Sequence, residues 1–125
     1  MPMLEAIQQI AINAHDLARA TAFYRDRLGM RHLFDAPPGM SFFDCGGIRL
    51  MLSLAEKPEF DHAASILYFR VEDIRRTHED LAAKGVKFRD EPHVVARLPD
   101  REIWMAFFDD SEGNVHAITS EAHKS

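Results

Sequence analysis

The chain has 125 residues, of which 46% are hydrophobic and 28% charged, and its formal net charge is −5. This composition is typical of one soluble globular domain, and the negative charge without a run of Lys or Arg argues against nucleic acid as a partner. The single Cys45 excludes an internal disulfide framework and fits a reducing compartment, and no apolar run reaches the ~20 residues of a membrane span, so we expect a cytoplasmic protein with no membrane partner.

The first half of the chain predicts a β-α-β-β-β unit. Asp16 is a good helix N-cap, and Gly29 ends the helix that follows it. Gly46 and Gly47 predict a tight hairpin turn, because both positions of such a turn need positive φ. The predicted elements are a strand at 7–14, a helix at 17–28, a strand at 30–34, a loop at 36–39, and hairpin strands at 41–45 and 48–53.

The second half repeats this order. Asp73 caps a helix that Gly85 ends, and the tail after Glu121 is expected to fray. The predicted elements are strands at 66–71 and 86–89, a less regular stretch at 91–101 with a bulged strand and a loop, and a closing hairpin of 102–108 and 114–120.

The two halves keep one register. Asp16 and Asp73 are 57 residues apart, and Gly29 and Gly85 are 56 apart. We therefore expect one domain over 1–125 with a first module at about 5–55, a linker at 56–63 and a second module at about 64–121. One such module cannot cover both faces of its sheet, so two must pair within a chain or across a dimer.

Several motifs resemble those of the vicinal oxygen chelate superfamily, which includes glyoxalase I, bleomycin-resistance proteins and extradiol dioxygenases. They are AFYRDRLGM at the end of the first helix, DCGGIRLML in the first hairpin and FFDDSEGNVHAI near the end of the chain. The resemblance implies an α+β fold in which duplicated β-α-β-β-β modules form a curved mixed sheet around a cavity, with the helices on the outer face. It does not fix a function, because one scaffold hosts many chemistries.

In metal-dependent members of that superfamily, ligands come from the start of the first strand and the middle of the last strand of each half. These positions match Gln9 and Met51 in the first half and Ile66 and Ala117 in the second. Ile and Ala cannot coordinate, a Met thioether is a poor ligand for hard divalent ions, and one Gln oxygen cannot hold such an ion alone. We therefore expect no metal and no cofactor.

Strand alternation selects the residues that face the cavity. The Gly-Gly turn pairs Cys45 with Ile48, so that Asp44 faces Arg49 and Phe42 faces Met51. The candidate ligand-binding residues are Gln9, Asn13, Phe42, Arg49, Met51, Tyr68, Arg70, His93, Trp104 and Ala117. No catalytic residue is assigned, and His116 is expected to point away from the cavity, toward the helix layer.

Plainer interpretations of these side chains stay open. Arg49 could pair with Asp44, Arg70 could be solvated, and Met51 could fill the vacated metal position and leave no cavity. Trp104 could pack in the core or a dimer interface. The Tyr68 ring could pack in the protein with its hydroxyl exposed to water. His93 could be a surface or turn histidine.

The sequence thus favours a metal-independent protein of the glyoxalase/bleomycin-resistance type that binds a small organic molecule as a homodimer. The alternative is a lyase, isomerase or dioxygenase of the same superfamily, with relocated metal ligands or metal-free acid–base catalysis. A third possibility is an interaction module whose cavity is filled.

Overall fold

The computed structural model describes residues 3–55 and 57–123, and its contacts divide the chain into two compact units. The first unit extends to Ala64 and the second begins at Ser65, at the end of the predicted linker. Within the described ranges, no helix has both the length and the apolar surface that a bilayer crossing requires. How the two modules pair remains a prediction.

The first unit is a four-stranded mixed sheet with one helix. Its elements are β1 (Gln9–Ala14), α1 (Leu17–Ala22), a π-helical turn (Phe23–Arg27), β2 (Arg31–Ala36), β3 (Met40–Cys45), β4 (Ile48–Leu54) and a 3-10 turn (Pro58–Phe60). The strand order is β1-β4-β3-β2, in which β1 and β4 run parallel and the other neighbours run antiparallel. Because β1 and β4 are parallel, the chain must cross over between them, and it does so through α1, β2 and β3.

The second unit repeats this plan with one more strand. Its elements are β5 (Leu67–Arg70), α2 (Ile74–Ala83), β6 (Lys87–Phe88), β7 (His93–Arg97), β8 (Arg101–Asp109) and β9 (Val115–His123). The order is β5-β9-β8-β6, and β7 also pairs with β8, so β6 and β7 together take the place that β2 has in the first sheet. The Asp90 carboxylate bridges the interruption by accepting a 2.8 Å hydrogen bond from the Phe107 backbone N–H.

The predicted caps and turns are confirmed. The Asp16 and Asp73 side chains accept hydrogen bonds from backbone N–H groups three residues on, at 3.0 and 3.2 Å. Gly46 and Gly47 have φ of 60° and 93°, which matches a two-residue hairpin turn of the type that suits twisted strands.

Several boundaries differ from the sequence prediction by a few residues, while the irregular stretch agrees with it. The predicted strand 30–34 lies at Arg31–Ala36, because β2 follows β3 as far as the Ala36–Met40 pair. The strand β9 continues to His123 instead of fraying after Glu121, because His123 pairs with Arg101. The irregular stretch 91–101 contains β7, with the predicted bulge between Val94 and Ala96.

The duplication extends to the strand register. In the first sheet Met51 lies between Ala11 on β1 and Phe42 on β3. In the second sheet Ala117 lies in the same way between Tyr68 on β5 and Phe107 on β8. The two predicted metal positions on the last strands, Met51 and Ala117, therefore occupy equivalent places in the two sheets.

Each sheet packs one face against its own helix. In the first unit the buried side chains on this face include Ile12, Phe43 and Leu52, and the Tyr24 ring contacts Phe43 at a centroid distance of 6.1 Å. In the second unit the fully buried His116 lies beside Phe108 on the corresponding face. This confirms the predicted hairpin parity and the predicted direction of His116.

Candidate functional site

The face of the first sheet opposite α1 carries a connected group of predicted site residues. The Arg49 Nε–H donates a 3.1 Å hydrogen bond to Gln9 Oε1, and Gln9 Nε2 donates to Met51 Sδ at 3.6 Å. The Arg49 guanidinium also lies 6.0 Å from the centroid of the Phe42 ring. The structure therefore brings together four of the ten predicted site residues, as strand alternation requires.

The ion pair between Arg49 and Asp44 does not form. The two residues are cross-strand neighbours, but Arg49 turns toward Gln9, which lies 40 positions earlier in the chain. Among the residues that the structure describes, no carboxylate oxygen lies within 4.0 Å of the Arg49 guanidinium. The plainer interpretation of Arg49 was therefore wrong.

A cleft of about 330 Å³ lies on the same sheet face, beside Met51. It is mostly apolar, with a few polar groups among its walls, which is the usual composition of a site for an organic ligand. Its lining residues are Ala11, Ile12, Asn13, Met40, Met51, Ser53, Leu54, Ala55, Phe60, His62 and Ala64. Met51 forms part of the wall of this cleft.

The predicted linker supplies one side of this cleft. Asp61 Oδ1 accepts hydrogen bonds from Asn13 Nδ2 at 2.9 Å and from His15 Nε2 at 2.7 Å, which ties the segment to the end of β1. The hydrogen bonds from Asn13 and then His15 hold the pKa of the Asp61 carboxyl below its ordinary value. Because Asp61 is held, its neighbours Phe60 and His62 reach the cleft.

The second sheet presents a different surface at the equivalent positions. Tyr68 is 51% exposed, and its ring meets Phe107 edge to face at 6.1 Å. Ala117 is buried beside it in the sheet. Arg70 ends β5 opposite Thr119 and lines an open groove with Glu72, as the solvated interpretation of this side chain suggests.

Trp104 lies on the other face of its strand. It pairs with Ser120, while Thr119 and Ala117 on the alternate positions pair with Met105 and Phe107 of β8. The Trp104 ring lies 5.1 Å from the Arg75 guanidinium of α2, so it is part of the helix-facing side. The structure therefore does not bring Trp104 together with Tyr68 and Ala117.

His93 begins β7 and is exposed. Its Nδ1–H donates to the Glu91 carbonyl oxygen at 2.9 Å. His93 lies in the second unit and is not a lining residue of the first-unit cleft. Cys45 is half-buried, and burial raises the pKa of its thiol, so it lacks the character of a nucleophile.

The residues at the four metal positions do not fit a divalent cation. Ile66 and Ala117 have no donor atom, and the Met51 thioether already accepts from Gln9. The remaining oxygen, Gln9 Oε1, accepts a hydrogen bond from a guanidinium whose positive charge would repel a metal ion. Over residues 3–55 and 57–123, no three His, Cys, Asp or Glu side chains come together as a potential metal site.

Most lining residues of the cleft are not among the ten predicted ligand-binding residues, and the missed ones include Met40, Phe60 and His62. Phe60 gave a weak signal, as a lone aromatic residue in a polar segment. Nothing local in the sequence indicates that Asp61 reaches back to β1.

Comparisons with known proteins agree on one scaffold. The family model described as Glyoxalase/Bleomycin resistance protein/Dioxygenase superfamily matches residues 6–118. The uncharacterized protein YraH of Bacillus subtilis is 30% identical, over 88% of this chain and 94% of that protein. The crystal structure of UcmS2 is similar with a TM-score of 0.74 and 24% identity, over 94% of this chain and 98% of that chain. A lactoylglutathione lyase from Agrobacterium tumefaciens is similar with a TM-score of 0.72 and 22% identity, over 95% and 96% of the two chains.

Proposed function

Since the chain belongs to the glyoxalase/bleomycin resistance protein/dioxygenase superfamily, we propose that it binds a small organic molecule without the help of a metal ion. The cleft beside Met51 is the proposed binding site. The observation that carries the proposal is that an open, mostly apolar cleft adjoins a metal position whose donor groups are already used within the protein.

The chemistry of the Gln9 position supports metal independence. A divalent ion that polarises a substrate oxygen needs several nitrogen or oxygen ligands, usually including a carboxylate or imidazole. Here the carboxamide of Gln9 lies between a guanidinium and a thioether, at 3.1 and 3.6 Å. A cation at this place would have to displace Arg49 and would still lack three ligands.

The walls of the cleft support binding of an organic molecule. Met40, Met51 and Phe60 provide flexible and aromatic apolar surface, while Asn13 and Ser53 provide polar groups that could orient a ligand. A volume of about 330 Å³ falls at the lower end of the range that small-molecule sites usually have. The ligand should therefore be small.

The lyase activity of the Agrobacterium tumefaciens neighbour is not part of this proposal. The likeness at 22% identity concerns the fold, and a shared fold does not carry a reaction with it. A lyase, isomerase or dioxygenase with relocated metal ligands would need a cluster of ligating side chains. In the described part of the chain, no three His, Cys, Asp or Glu side chains come together in this way.

We further expect a homodimer in the cytoplasm. Met3, Leu4 and Ile7 are 99%, 90% and 62% exposed, which is unusual for a run of large apolar side chains and would be relieved by a second copy. Light scattering of the purified protein should give twice the mass of one chain. A monomer at micromolar concentration would contradict this expectation.

The proposed function can be tested with isotope-labelled methionine methyl groups. Met40 and Met51 line the cleft, and Met30, which follows the π-helical turn and does not line the cleft, is an internal control. A library of small organic molecules is added in the presence of EDTA, so that no metal contributes. We expect some members to shift the Met40 and Met51 signals and leave Met30 unchanged. The proposal fails if no member shifts the two cleft methyl groups, or if shifts appear only when divalent metal replaces EDTA.

A further inference from the structure

We infer that Arg49 is an anchor for the carboxylate of an organic acid, so that the ligand class of the proposed site is small monocarboxylates. This inference rests on the proposed function and deepens it. It starts from the surroundings of Arg49 in an acidic protein, which has 20 Asp and Glu against 15 Lys and Arg.

Arg49 is held in place without being neutralised. Its Nε–H is used by Gln9 Oε1, and the Phe42 ring lies below the guanidinium at 6.0 Å, near the limit for a cation–π contact. Neither neighbour carries a negative charge. Other arginines of the chain, such as Arg89 with Asp109 at 2.8 Å and Arg97 with Glu102 at 3.0 Å, bind carboxylates directly.

Among the described residues, no acceptor takes a hydrogen bond from the end of the Arg49 guanidinium. With Nε engaged, the two terminal nitrogens of Arg49 can still donate two parallel N–H groups, which is the arrangement that a carboxylate accepts as a bidentate partner. Gln9 thereby acts as a positioning residue, because it fixes the plane of the fork. Because Gln9 already holds the Arg49 side chain, binding a carboxylate costs less side-chain entropy than it would at a freely moving arginine.

The position of Arg49 connects this fork to the cleft. Arg49 lies two residues before Met51 on β4, so the two side chains share a face at a spacing of ~6.6 Å along the strand. Met51 lines the cleft and also accepts from Gln9. A ligand with its apolar part against Met51 can therefore place its acid group at Arg49.

Asp44 decides between a carboxylate and a phosphate. It is the cross-strand partner of Arg49, so its charge lies near the fork although it does not contact it. With Asp44 nearby, a bound monocarboxylate leaves one net negative charge around the guanidinium, whereas a phosphate dianion would leave two and face the stronger repulsion from Asp44. We therefore assign a monocarboxylate.

The test compares phenylacetate with its neutral analogue phenylacetamide and with phenyl phosphate, using the Met51 methyl signal of the full chain. We expect phenylacetate to bind about tenfold more tightly than the amide, because a charge-assisted bidentate pair replaces a neutral contact. Arg49→Gln should remove this preference, and Asp44→Asn should increase the affinity for phenylacetate. Arg76→Gln is the matched control, since it removes the same charge from an exposed site on α2 and should change nothing.

Arg49→Lys protects the test against a folding defect in Arg49→Gln, because it keeps the charge but lacks the fork, and it should give an intermediate preference. Equal binding of acid and amide to the wild type would overturn the inference and leave the proposed function standing. Tighter binding of phenyl phosphate, or an unchanged preference in a folded Arg49→Gln, would also overturn it. A library in which no compound moves Met51 would overturn both proposals.

Discussion

The buried His116 should make the stability of the protein fall as the pH falls. Its side chain is fully buried between the rings of Phe69 and Phe108, at centroid distances of 5.4 and 5.8 Å. Burial lowers the pKa of the His116 imidazole, and the Asp110 carboxylate opposes this effect only in part. The folded protein therefore keeps the neutral ring at a pH where the unfolded chain already binds a proton.

The sign and size of the effect follow from proton linkage. Because the folded pKa is depressed, the contribution of His116 is fully present above the unfolded value of ~6.5 and is lost as the pH falls toward the folded pKa. One proton taken up only on unfolding changes the free energy of unfolding by ~1.4 kcal/mol per pH unit. Between about pH 7.5 and 5.5 the loss should reach about 1 kcal/mol.

Urea denaturation of the wild type and of His116→Gln at the two pH values measures this contribution. We expect the wild type to lose about 1 kcal/mol more than the variant over this interval, whatever the absolute stability of the variant. His123→Gln is the matched control, because His123 lies at the exposed end of the same strand. If the free energy of unfolding changed equally with pH in the wild type and in His116→Gln, the reasoning would be refuted. The strand parity that places His116 on the helix side and Ala117 on the opposite face would then be refuted as well.

Three further changes test the turns and the cleft. Asp110→Ala should lower the free energy of unfolding by about 3 kcal/mol in urea titrations, because its buried carboxylate accepts two backbone N–H groups in the β8–β9 turn. Gly47→Ala should cost about 1 kcal/mol by thermal denaturation, since φ is 93° while no atom obstructs the added methyl group. Asp61→Ala should speed amide hydrogen exchange of residues 60–62, because the hydrogen bonds from Asn13 and His15 are lost; unchanged exchange would show that other contacts hold the segment.

The first hairpin and its faces were predictable from the sequence because the determinants are local. A two-residue Gly46-Gly47 turn fixes which residues pair across the hairpin, and alternation then assigns every side chain to a face. The pairs Cys45–Ile48 and Phe42–Met51 are found as predicted. The same reasoning directed His116 to the helix side.

The features that escaped prediction depend on contacts between distant parts of the chain. Asp61 meets Asn13 and His15 across 48 and 46 residues, and this pairing turns a polar linker into a wall of the cleft. Arg49 had a cross-strand carboxylate available but binds Gln9, 40 residues away. Hydrogen-bond choices of this kind depend on the packed geometry of several strands, and no local pattern encodes them.

The interruption between β6 and β7 also depends on a contact between separate parts of the chain. The sequence predicted an irregular stretch at 91–101, but the side chain that replaces the missing ladder contact is Asp90, through the Phe107 backbone N–H. A carboxylate in this role cannot be distinguished in sequence from a solvated one. The sequence therefore predicted a bulged strand here but not its position as the counterpart of β2.

The central claim is that this scaffold binds small organic molecules without a metal ion. Its most direct test is the metal stoichiometry of the purified chain after equilibrium dialysis against Ni²⁺, Zn²⁺, Mn²⁺ and Fe²⁺, each followed by desalting and elemental analysis. We predict far less than one tightly bound ion per chain for all four metals. Among the side chains at the four superfamily positions, only Gln9 has an oxygen atom, and this oxygen already accepts a hydrogen bond from Arg49. One ion per chain that survives desalting would contradict the claim.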